Sequence, residues 1–74
     1  MAHTLNEEIA GNVRGALDAS GVPITTLATD TGIAERTLRR RLGGNSDWNT
    51  SELARIAKRL EVPVSQLMGG THAA

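Results

Sequence analysis

The chain has no cysteine, no phenylalanine and no tyrosine, and only one tryptophan and two prolines among its 74 residues. Without thiols there are neither disulfides nor thiolate metal sites, and folding rests on packing alone, as suits a reducing cytoplasm. The single aromatic, Trp48, excludes a base-stacking platform for single-stranded nucleic acid and leaves a core of Leu, Ile, Val and Ala. No apolar run is long enough for a signal peptide or a membrane helix. An excess of either charge is missing as well: eight Lys+Arg balance eight Asp+Glu, which argues against a nonspecific polyanion binder. Both histidines, His3 and His72, lie near the ends without clustered carboxylates. Neither a metal site, a cofactor nor a nucleophile–base pair is indicated, and the chain reads as a non-enzyme.

What is present is helical periodicity, concentrated between Ile24 and Leu42. Leu27, Ala28 and Thr31 share one side of a first short helix, and Leu38 and Leu42, four apart, share one side of the next. Between them Gly32 can take the left-handed conformation that ends a helix, and Ile33 can plug the angle between the two axes. Small Ala28 allows close approach. With Leu38 inward and about 100° per residue, Arg36 and Arg40 point outward, flanked by Thr37 and Arg39. The basic character is local, with Arg36, Arg39, Arg40 and Arg41 opposed within that helix only by Glu35.

The remaining segments follow from local rules. Thr4 and Glu7 form the pattern of a capping box, and Leu5, Ile9, Val13, Ala16 and Leu17 mark an apolar side running to about Ser20, with Gly21 as the stop. Gly11 and Gly15 within it signal either close helix packing or a merely weak helix. Val22 and Pro23 connect to the next helix. Gly43 to Asp47 form a polar loop in which Asn45 and Ser46 either touch phosphate or are simply solvated. Asn49 is placed to cap a fourth helix, with Glu52 to close the reciprocal box and Trp48 to staple onto Leu53. Leu53, Ile56, Ala57 and Leu60 make its core stripe, while Arg55, Lys58 and Arg59 read as solvated charge. Val62-Pro63-Val64 bends into a short last helix with Leu67 and Met68. One folded domain over 4–68 is expected, between flexible flanks at 1–3 and 69–74.

The run from Ile24 to Leu42, with Ala28, Gly32, Ile33 and Leu38 at the small-residue, turn-glycine, turn-apolar and recognition-helix core positions, resembles the helix-turn-helix of the phage-repressor and Cro type, the Xre family. The stretch from Trp48 to Leu67 is similar to that family's fourth and fifth helices. The resemblance implies an all-α, five-helix, lambda-repressor-like fold and a sequence-specific regulator of transcription, a phage or prophage repressor or Cro-like protein. Its helix 34–42 would enter the major groove of a double-stranded DNA operator in the cytoplasm. Two departures stand out: Ile24 replaces the usual glutamine at the start of the second helix, and Ala34 replaces the usual serine that opens the recognition helix.

On this reading Arg36 and Arg40 take base edges, since arginine makes a bidentate contact with guanine O6 and N7. Thr37 would touch a thymine methyl or a phosphate, and Glu35 would either accept from cytosine N4 or stabilise the helix start. Arg39, Asn45 and Ser46 are candidates for phosphate, as is Arg41, which would alternatively pair with Asp18 or Asp30. Val62, Val64, Leu67 and Met68 either close the monomer core or form a homodimer contact suited to a pseudo-palindromic site. No small-molecule effector site and no membrane partner are evident. A rival use of the same fold is as a protein-interaction module, antitoxin-like or binding a transcription factor.

Overall fold

The computed structural model describes residues 5–44 and 46–68. Within them the chain forms five helices: α1 Leu5–Ser20, α2 Ile24–Thr31, α3 Glu35–Leu42, α4 Thr50–Leu60 and α5 Val64–Leu67. No strand occurs among the described residues. The expected capping residue Thr4, the histidines His3 and His72, and the expected flanks 1–3 and 69–74 lie outside them.

Each helix turns one stripe inward. Ile9, Val13 and Ala16 of α1 meet Leu27 and Ala28 of α2, Leu38 and Leu42 of α3, and Leu53, Ile56, Ala57 and Leu60 of α4. Leu67 of α5 closes the end. Val13, Leu27, Leu38, Leu53, Ile56 and Leu67 are fully buried, which fixes the seating of all five helices at once. Thr31 is the one buried polar side chain among the described residues, and its hydroxyl is satisfied by donating to the Leu27 carbonyl at 2.7 Å.

The helix ends follow the residues that form them. Pro23 and Pro63 stand at the N-caps of α2 and α5. Gly32 takes φ 75° and donates its amide to the Ala28 carbonyl at 3.0 Å, while Ile33 behind it is buried. Asn49 caps α4 by accepting from the Ser51 amide at 2.8 Å, as its position predicts. The reciprocal half of that box does not form, because Glu52 is turned to Arg41 instead. Trp48 is half-buried against the core cluster that contains Leu53.

The other end of α4 is less conventional. Glu61 adopts the left-handed conformation at φ 61° and ψ 43°. Its amide bonds to the Lys58 carbonyl at 3.2 Å, and the Val62 amide bonds to the Ala57 carbonyl at 3.0 Å. This is the Schellman pairing that glycine usually serves. In α1, a Cβ at Gly11 or Gly15 would meet nothing within 4 Å, so close helix packing is not what these glycines serve.

Candidate nucleic-acid interface

Helix α3 presents its polar side between two buried anchors, Leu38 and Leu42. Glu35, Arg36, Arg39 and Arg40 are exposed, whereas Thr37 and Arg41 are half-buried. The exposed side is therefore two rows of side chains one turn apart, 35 with 39 and 36 with 40. Measured from Leu38, these rows span roughly 60° to 200° around the axis, which places Arg36 and Arg39 nearest the centre of the open face. Thr37 and Arg41 fall on the opposite flank. The open face is thus rotated from the expected one, with Arg39 toward its middle and Thr37 at its edge.

The four arginines of α3 differ in what they already hold. Arg36 and Arg40 have no hydrogen-bond or ion-pair partner among the described residues, so their guanidinium groups are available to a ligand. Arg39 is paired with Glu35, its Nε at 2.9 Å and its Nη2 at 2.8 Å from the same carboxylate oxygen, Oε2. Arg41 pairs with neither Asp18 nor Asp30. Its Nη1 donates to the Asp47 carbonyl, and its Nε lies 3.0 Å from Glu52 Oε1, close enough for charge attraction but off the line of a hydrogen bond. With side-chain exposures of 20% and 16%, Arg41 and Glu52 tie the end of α3 and the following loop to the first turn of α4. Arg41 thus acts as a brace.

Three further cations hold the frame and were not legible as such. Arg55 of α4 donates through Nη1 to the Thr31 carbonyl at 2.8 Å, so the helix-turn-helix corner is clamped at the last turn of α2. Arg59 takes Asp30 through Nε at 2.5 Å. Arg14 of α1 donates to the Leu42 carbonyl at 2.5 Å, setting a positive charge at the C-terminal end of α3 where the helix dipole favours one. Nothing local marks Arg14, Arg55 or Arg59, since each partner is 24 to 29 residues away.

At its other end α3 has no side-chain cap. Ala34 occupies the N-cap with no side-chain hydrogen bond, leaving first-turn amides free. After α3, Gly43 remains in the right-handed region, and the reversal comes one residue later at Gly44, φ 84°. Ser46 is half-buried in this loop, and Asn45 lies outside the described residues. Asn6 of α1 donates to the Asp47 carboxylate at 2.8 Å, pinning the loop from the other side.

The segment expected to offer a dimer contact is mostly used within the monomer. Leu67 is fully buried, Val62 and Val64 are half-buried against the core, and only Met68, 41% exposed, stands out. A groove is lined by Asp30, Arg55, Lys58, Arg59 and Glu61, and the Arg59–Asp30 pair is part of its lining. Among the described residues no group of three or more His, Cys, Asp or Glu side chains is arranged to hold a metal ion, and no helix is long and apolar enough to cross a membrane.

Comparison with known proteins places this geometry. A family model described as the BetR domain matches residues 4–74. Among solved structures, the fold is similar to the crystal structure of an HTH_3 family transcriptional regulator from Vibrio cholerae, with a TM-score of 0.79 and 23% identity over 89% of this chain. The chain spans 37% of that regulator's length, and the likeness at this identity is one of fold. A search of curated protein sequences finds no match.

Proposed function

Since the chain belongs to the BetR-domain family and folds as an Xre-like helix-turn-helix, we propose that it is a sequence-specific regulator of transcription that inserts α3 into the major groove of double-stranded DNA. The observation that carries this reading is the pair Arg36 and Arg40, two exposed guanidinium groups in one row with no partner among the described residues. Unengaged arginines on a helix whose other side is locked by Leu38 and Leu42 are donors held ready for guanine O6 and N7. Ser46 supplies a contact to the phosphate backbone, with Asn45 beside it in sequence, while the Gly43 and Gly44 amides are already spent on α3 carbonyls.

The finer reading is a phage or prophage repressor or Cro-like protein, acting in the cytoplasm on a pseudo-palindromic operator and repressing by covering a promoter. Two copies would set their recognition helices about 34 Å apart. The contact would be made by Met68 with the outer parts of Val62 and Val64, because Leu67 has no surface to give.

Selection of random duplex DNA by the purified protein, followed by titration of the enriched duplex at two salt concentrations, tests the proposal. A two-fold symmetric motif, relaxed at one position by Arg36→Ala or Arg40→Ala, supports both the regulator and the dimer. Affinity should fall with salt by a slope of about 0.9 per phosphate neutralised. Weak, uniform binding with no enriched motif would overturn it and leave the fold as a scaffold for protein contacts.

A further inference from the structure

The Glu35–Arg39 pair lies on the open face of α3 beside the two free arginines. Its side chains are 43% and 57% exposed, so it contributes little to stability and its reason for being there lies elsewhere. Both contacts run from one edge of the guanidinium, Nε and Nη2, to one carboxylate oxygen, Oε2. Left over are the other carboxylate oxygen, Oε1, which only accepts, and the far edge of the guanidinium, where Nη1 and the second hydrogen of Nη2 only donate. Neither has another partner among the described residues.

We infer that Glu35 and Arg39 act as one preformed reading head, in which the far edge of Arg39 takes guanine O6 and N7 while Glu35 Oε1 accepts from the N4 amine of a cytosine in the same or the adjacent base pair. This rests on the DNA-binding reading above and assigns Arg39 to a base rather than to a phosphate. The charge balance favours that assignment. Moving Arg39 out to a phosphate would strand the Glu35 carboxylate in the anionic groove, whereas keeping the pair intact gives a neutral unit with complementary donors and acceptor. A neutral unit releases no counterions, so it adds discrimination without adding nonspecific affinity. It also discriminates by repulsion, because the carboxylate meets an acceptor when guanine O6 or thymine O4 replaces the cytosine amine.

The test uses the full chain, random-duplex selection and binding at two salt concentrations, with Glu35→Gln and Arg39→Lys compared to wild type. Thermal melting checks that both variants fold. Glu35→Gln keeps the size of the side chain but frees Arg39. It should cut the preference for cytosine at one position by about tenfold, raise affinity for unrelated duplex, and steepen the salt dependence by about one phosphate. Arg39→Lys, which loses the fork, should relax the neighbouring guanine. If wild type enriches an operator and Glu35→Gln enriches the same motif with the same salt slope, the reading head is wrong and the regulator stands. If wild type enriches nothing, both fall together.

Discussion

Helices α3 and α4 look alike on paper and differ in the folded chain. Each is short, amphipathic and cation-rich on its outer side, with Arg36, Arg39, Arg40 and Arg41 on α3 and Arg55, Lys58 and Arg59 on α4. On α4 both arginines are engaged with α2, Arg55 at the Thr31 carbonyl and Arg59 at Asp30. On α3 Arg36 and Arg40 hold nothing among the described residues. The caps differ in the same sense, since α4 begins under Asn49 and α3 begins bare at Ala34. Counting cations gives four against three and hardly separates the two surfaces, whereas following each guanidinium to its acceptor separates a helix that braces the fold from one open to a ligand.

The sharpest way to test that separation is Arg36→Ala. It should weaken binding to a selected operator by about 1–3 kcal/mol while leaving thermal stability within about 0.5 kcal/mol of wild type, read by titration and by melting. Equal loss in both measurements would erase the distinction. Exchanging the caps probes the other contrast: Asn49→Ala should cost about 1 kcal/mol of stability, and Ala34→Ser should add a similar amount. The φ of −58° and ψ of 136° at Ala34 already suit a capping serine. A chemical denaturation series on both variants decides it, and an unchanged midpoint for Ala34→Ser would mean that the bare amides of α3 are satisfied by solvent.

Arg55→Ala is the mirror of Arg36→Ala. Loss of the bond to Thr31 should lower stability by about 1 kcal/mol, a fall of roughly 4–8 °C in melting temperature for a domain of this size, with operator affinity unchanged once the protein is folded. The smallest effect belongs to Arg59→Ala. Its pair with Asp30 is more than a third exposed on both sides, so solvent screening should hold the loss below about 0.5 kcal/mol, and added salt should shrink it further.

The features that were legible in the sequence are those whose cause is local. Gly32 at the turn, Asn49 at the cap, and the Leu38 and Leu42 spacing each reflect neighbours within one helical turn, and all appear where the residues put them. What could not be read depends on distance along the chain. Glu52 satisfies the spacing of a capping box, yet Arg41 reaches it across the loop and takes it away. Arg59 looks like solvated charge until the fold brings up Asp30. Leu67 has the same pattern value whether it faces a second copy or its own core, and only packing decides. Within the candidate interface, the arginines were visible as a group, but the division into free, paired and bracing members came from their partners.

Gly11 and Gly15 set a clock on the molecule. Each lowers the helical preference of α1 by about 1 kcal/mol relative to alanine, and neither recovers that loss through a neighbour. Local opening of α1 should therefore precede opening of the capped α4, and deuterium should enter the amides around Gly11 to Gly15 before those around Ile56. The first helix to breathe is then the one that packs on α3 and holds its C-terminal end through Arg14, so the aim of Arg36 and Arg40 loosens with it.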